Sequence, residues 1–328
     1  MITPDNRAEK RGLAMSTAFL HILLFALLAS ATDDVDPRLP QYKPASKSVG
    51  RLSSVGSDSL NNLMTLWGEE FNRLHPGVIP EIEGKGGSIA IAALVSGRVQ
   101  LATMVRLPNE KEVAAVRAKF GGAPIVVAVA RDALGVFVHK DNPIKQLNLR
   151  QLDAVFGKTR RAGAETDIVK WGDLGLEGEW ADKPIRLFGR NAASGAYAFF
   201  KETCLLRGDF KDTAIDERTS SDLVRAVGND RYALGYAVIT YKTDQVRAVP
   251  MVGADGKTYD ATRENIESFR YPLVRSLHIA LPPKPDDLTR EFLRYVLSRQ
   301  GQSAVVKDGY LPLSAAAAQA ERTKIGLE

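Results

Sequence analysis

From Val49 onward, short apolar runs alternate with stretches whose apolar residues recur every three or four positions. Arg51 to Val55 predicts a strand that ends in the turn Gly56-Ser57-Asp58-Ser59. Leu60, Leu63, Met64, Trp67, Phe71 and Leu74 then follow at helical spacing, with Ser57, Asp58 or Ser59 as the cap. Val78 to Glu83 alternates like a strand and runs into Gly84-Lys85-Gly86-Gly87-Ser88, after which a helix continues to Gly97. Val99 to Met104 predicts a further strand. Pro108-Asn109 opens a helix that Gly121-Gly122 should end. This alternation with short turns predicts an α/β fold: a mostly parallel sheet with helices on both faces.

Two runs break the rhythm. The stretch from Pro124 to Pro143 is one long strand-like run, interrupted at Arg131-Asp132, and Arg270 to Pro282 is a second. Runs of this length can leave one domain and enter another. They bracket a block with elements of its own, including KPIRLFGR and YALGYAVITY. The expected division is a discontinuous first lobe, residues 49–139 plus 271–328, with a second lobe, 140–270, inserted into it. Ligands of such folds sit between the domains, at strand ends and helix starts. The chain should close with two helices and a strand-like turn, and Ala315 to Ala318 reads as a frayed end.

The first residues carry a different pattern. Arg7, Lys10 and Arg11 precede an apolar stretch from Leu13 to Ala31 that ends in the small-residue signal Ala29-Ser30-Ala31. This predicts a cleavable signal peptide over residues 1–31, an extended lead-in over 32–48 rich in proline, and a periplasmic mature protein starting at Thr32. An uncleaved membrane anchor is the competing reading, which Ser16, Thr17 and His21 disfavour.

At 328 residues, with 45% hydrophobic and 25% charged, the chain is long enough for two domains with substantial cores. The net charge of +5 is dispersed, which argues against a nucleic-acid surface and is compatible with small anions. A single cysteine, Cys204, excludes an internal disulfide, and the four histidines show no metal-ligand spacing.

Three turns lead small residues straight into a helix: residues 56–60, 84–88 and 189–195. Free N–H groups and the dipole at a helix start form an anion site. Arg190, at the end of the strand IRLFG, could grip an oxyanion through two donors, or could simply brace the domain. Ser194 and Gly195 could equally be ordinary helix-start residues, and Asp58 an ordinary cap. Beside a bound anion, Asp58 would favour a ligand with a proton to share, hydrogen phosphate over sulfate. Catalytic patterns are poor. Ala192 and Ala196 stand where a nucleophile elbow has glycines, and Gly253 to Thr258 reads as a hairpin turn rather than a phosphate loop.

At these residues the sequence resembles the phosphate-binding subunits of bacterial phosphate ABC transporters, the PstS-like proteins. The stretches that carry the likeness include SVGSDSLNNLMTLWGEEF, EGKGGSIAIAAL, LATMVRLPNE, FGRNAASGAYAFFKE and LTREFLRYVLSRQGQSAVVKDGYLPL, spread in order over the mature chain. The resemblance implies a two-lobed type 2 periplasmic binding protein with two crossing strands and a ligand cleft between the lobes. It implies a monomer that needs no cofactor, performs no catalysis, and delivers phosphate or a related oxyanion to ABC permease subunits in the inner membrane. A relative that has lost transport and serves as a sensor or envelope protein is the alternative; a phosphatase-like enzyme is the third reading. Residue by residue, the ligand groups would be Asp58, Ser59 and the Leu60 N–H, then Ser88, then Arg190, Ser194 and the Gly195 N–H. The chain departs from the family's hydroxyl or acidic residues at Gly87, Ile89, Val105, Ala192 and Ala196. Loss of the partners at Val105 and Ala196 implies binding weaker by roughly a hundredfold, at about 1.5–3 kcal/mol for each hydrogen bond to a charged ligand.

Overall fold

The computed structural model describes residues 35–45, 47–192 and 194–327. The expected signal peptide lies outside them.

The first half begins with strand β1 (Val49–Gly56), helix α1 (Asp58–Leu74), β2 (Gly77–Gly84), α2 (Ala90–Val95), β3 (Leu101–Met104) and α3 (Glu110–Phe120). Asn109 caps α3 in a reciprocal box with Glu112, as its position before the apolar run anticipates. Then comes β4 (Ile125–His139), fifteen residues without a break. After it follow α4 (Leu149–Phe156), β5 (Arg186–Arg190), α5 (Gly195–Thr203), β6 (Ile215–Glu217), α6 (Ser220–Gly228), β7 (Ala233–Val238) and β8 (Val246–Ala248). A hairpin of β9 (Met251–Val252) and β10 (Thr258–Tyr259) holds the Gly253–Thr258 turn. Helix α7 (Arg263–Glu267), strand β11 (Val274–Leu281), and helices α8 (Asp287–Val296), α9 (Arg299–Lys307) and α10 (Ala315–Lys324) complete the order.

Among the described residues nine strands form one continuous ladder, β2-β1-β3-β11-β4-β7-β5-β6, with β8 also on β4. Pairing is parallel within each end, β1 with β2 and β3, and β5 with β6 and β7. It is antiparallel wherever β4 or β11 takes part. The sheet is therefore mixed rather than mostly parallel, because the two crossing strands run in opposite directions. Residues 125–133 of β4 pair with β11, whereas 134–138 pair with β7. Arg131-Asp132 does not interrupt the strand. It lies just before the place where β4 changes partner.

The apolar residues divide at the same place. One set of buried clusters draws on residues 35–130 and 277–327, with Trp67, Phe71, Phe292 and Tyr295 inside. The other draws on 133–273, around Phe156, Trp171, Phe200 and Tyr236. The residues after the expected cleavage point are not a loose lead-in. Val35, Leu39 and Tyr42 are buried in the first core, and the Tyr42 hydroxyl donates to Glu291 at 2.8 Å. The chain's end is docked as well. Ser314 caps α10, Ala318 is buried, and Glu321 accepts the Ala128 N–H at 2.9 Å. The alanine run lowers side-chain entropy cost rather than signalling fraying.

Candidate anion site between the lobes

Strands β1, β2 and β3 end side by side, and the turns that leave them are tied together by backbone bonds. The Ser57 N–H donates to Thr103 O at 2.9 Å, and the Lys85 N–H to Gly56 O at 3.0 Å. A Cβ on Gly56 would run into the Thr103 carbonyl, so only glycine permits this approach. The result brings Asp58, at the start of α1, next to the second turn: a Cβ built on Gly86 lies 3.9 Å from Ser88 Oγ and 4.0 Å from Asp58 Oδ2. Asp58 and Ser88 are both exposed, Ser59 is half-buried, and Leu60 is buried with its N–H donating to Ser57 O at 3.1 Å. Ser57 is the N-cap by position, without a side-chain capping bond.

The third turn comes from the other lobe. Ser194 caps α5, its Oγ accepting the Ala196 N–H at 3.2 Å. A Cβ on Gly195 would lie 2.5 Å from Ser59 Oγ. The first residues of α1 and α5 therefore meet across the gap between lobes, with two helix N-termini brought to one spot. Arg190 lies at the end of β5. Its guanidinium donates to Ser220 Oγ at 2.6 Å and to the carbonyls of Glu217 and Arg218 at 3.3 and 3.1 Å. It makes no ion pair among the described residues, so its charge is oriented but not neutralised. Burial lowers its pKa from the ordinary guanidinium value. No hydrogen bond joins Arg190 to Ser59, Ser88, Ser194 or Gly195. Five of the seven predicted residues cluster at the contact or beside it, while Arg190 is anchored on the β6–α6 corner and Leu60 has its N–H engaged within α1.

Of the two positions where the resemblance implies a lost side-chain partner, Val105 packs against the first core and Ala196 is buried in the second. Ile89 is 37% exposed.

Sequence reasoning missed the pair beneath the contact. Asp132 on β4 stands opposite Arg275 on β11. Asp132 Oδ2 accepts from Arg275 Nε at 2.9 Å and Nη2 at 2.8 Å, with the side chains only 2% and 10% exposed. The same Nη2 reaches Gly195 O at 3.2 Å and Ser59 Oγ at 3.5 Å, and the guanidinium lies 4.5 Å above the Phe199 ring. A buried ion pair at the crossing thus touches a helix start from each lobe. Tyr310 adds a tie, its hydroxyl donating to Ser59 O at 2.7 Å. The signal was present as charges inside two long apolar strands, which read as an interruption.

A family model described as the PBP superfamily domain matches residues 43–300. The phosphate-binding protein PstS of Pseudomonas aeruginosa is 45% identical over 304 residues, covering 91% of this chain and 94% of its own. Among solved structures, a possible phosphate-binding protein from Planctomyces limnophilus superposes with a TM-score of 0.72 at 24% identity, over 84% of this chain and 98% of that one. An ABC-type phosphate transport receptor from Vibrio cholerae gives 0.67 at 24% identity, over 80% and 100%. At that identity the two structures speak for the fold.

Proposed function

Since the chain belongs to the periplasmic-binding-protein superfamily, and within it to the PstS-type phosphate-binding proteins, we propose that it binds phosphate between its lobes and passes it to an ABC permease. It is a binding protein of a transporter, not an enzyme. The observation that carries the reading is the meeting of Ser59 and Gly195, which brings one helix N-terminus from each lobe to a single point. An anion there gains from both only when the lobes are together, so its binding energy drives closure.

In this reading Ser59, Ser88, Ser194 and the Gly195 N–H donate to the ligand oxygens, and Arg190 supplies a charge that forms no ion pair among the described residues. Asp58 accepts a hydrogen bond from the P–OH of hydrogen phosphate, a donor that sulfate lacks. The lobe boundaries in this reading fall within β4 between Ala130 and Leu134 and at the start of β11. The protein works as a monomer in the periplasm after loss of residues 1–31. No helix among the described residues is long and apolar enough to cross a membrane.

Calorimetric titration with phosphate, arsenate and sulfate tests the ligand. Phosphate should bind saturably and sulfate at least about tenfold more weakly, the discrimination of one charged hydrogen bond. Arg190→Ala should abolish detectable binding while circular dichroism stays nearly unchanged and the melting temperature falls only modestly, through loss of its bonds to Ser220 and the Glu217 and Arg218 carbonyls. Unaltered affinity in that variant would place the site elsewhere.

A further inference from the structure

Arg131 and Asp132 are neighbours on β4, so their side chains leave opposite faces of the strand. Asp132 faces Arg275 and the two helix starts. Arg131 instead lines a cavity of about 500 Å³ that no residue of the three anion turns borders. One wall comes from the first lobe, through Val306, Lys307 and the Gly309–Pro312 turn, and the other from the second lobe, through Ile239–Tyr241 and helix α7. The turn is held to the crossing strand by paired backbone bonds between Arg131 and Leu311, both 2.9 Å.

The charges of this cavity are unbalanced. Arg131 makes no ion pair among the described residues, and its Nη1 has no hydrogen-bond partner. Its guanidinium lies 5.1 Å over the Phe269 ring, which fixes its plane. Lys307 adds a second cation at the exposed rim. The one carboxylate of the lining, Glu267, is bonded to Arg263 at 3.0 Å. Ile239, Ile266, Val306 and Leu311 make the rest of the wall apolar. A cavity of several hundred Å³ at a domain junction, apolar with a few charged groups, has the make-up of a small-molecule site.

It is also tied to the anion site. Thr240 Oγ1 donates to Gly309 O at 3.0 Å across the lobes, and Tyr310, a lining residue, holds Ser59 O through its hydroxyl. We propose that this cavity is a second binding site, for a small organic anion with an apolar body, and that its occupant biases lobe separation at the phosphate site. The second half of the proposal rests on the phosphate reading; the first does not.

The probe is 8-anilinonaphthalene-1-sulfonate, an aromatic sulfonate whose emission rises on leaving water. The intact protein should give a saturable rise, at least about tenfold weaker in affinity for Arg131→Gln, which loses a charge-assisted contact. Lys307→Glu, on the exposed rim, should weaken it too, and Arg190→Ala should not. A misfolded Arg131 variant would bind more dye, the opposite direction. Saturating dye should change the phosphate Kd at least about fivefold. The site is overturned by absence of saturable binding, by dye affinity in both cavity variants equal to that of the intact protein, or by displacement of the dye by phosphate with Arg131→Gln unaffected. The coupling is overturned by an equal phosphate Kd with and without dye. If phosphate does not bind at all, the dye titrations still decide the site.

Discussion

A methyl group on Gly195 would lie 2.5 Å from Ser59 Oγ and 3.6 Å from Arg275 Nη2. The residue is a helix start whose backbone alanine can adopt, so the obstruction acts between lobes and not within α5. Gly195→Ala should therefore weaken phosphate binding by at least about tenfold while the ligand-free melting temperature holds or rises slightly. Titration and calorimetry on the same samples check it; equal affinity would mean that the helix starts do not approach this closely in the bound state. The absent hydroxyls give a second test. Val105→Ser with Ala196→Thr should tighten phosphate binding at least about tenfold, since one charged hydrogen bond exceeds about 1.4 kcal/mol. Because Val105 packs on the first core and Ala196 is buried, the double variant should also melt lower. A variant that binds no better would remove phosphate oxygens from the neighbourhood of these two positions. The three turns were legible because glycines and hydroxyls before a helix declare themselves locally. Arg275 and Asp132 were not, because they are 143 positions apart and meet only through the register of β4 against β11.

Helix α10 and strand β11 show how an element's fate is set by what it docks against. Ala315 to Lys324 has little of its own to declare a packed helix. What fixes it is Ala318, Ile325 and Leu327 buried in the first core, and Glu321 satisfying the Ala128 N–H. That docking is tertiary, so it was invisible in the alanine run. The amphipathic helices α1 and α8, by contrast, were legible from spacing alone. On β11 a register shift falls between Leu277 and His278. His278 has its pKa pushed from 6.5 down to about 4, by burial first and then by Arg131 and Lys324. Its Nδ1 has no hydrogen-bond partner. The unfolded chain takes up this proton nearer 6.5, so it binds more protons than the folded one between those values. The stability contribution is present above about 6.5 and is lost as pH falls toward 4. Urea unfolding at pH 7, 5.5 and 4.5 should show a steeper loss for the native sequence than for His278→Gln. Parallel slopes would exonerate the histidine.

At the scale of the molecule, the two lobes are built from the chain in different ways. The second core comes from one continuous stretch, 133–273, whereas the first combines residues from 35 onward with the last segment up to Leu327. Tyr42 and Glu291, 249 positions apart, share a buried hydrogen bond, and the Trp67 indole donates to Gly301 O at 2.7 Å across 234 positions. This layout has a consequence in time. A chain emerging from its N-terminus presents the second lobe's whole core while the first still lacks β11 and α8 to α10, and closing the longer loop slows the search for its contacts in any order of emergence. Refolding from urea should accordingly show two phases, an earlier one reported by Trp171 and Trp180 and a later one by Trp67. Stopped-flow fluorescence of Trp67→Phe should retain the first phase and lose the second. Until the segment from Asp287 onward arrives, this chain is half a protein with its other half waiting.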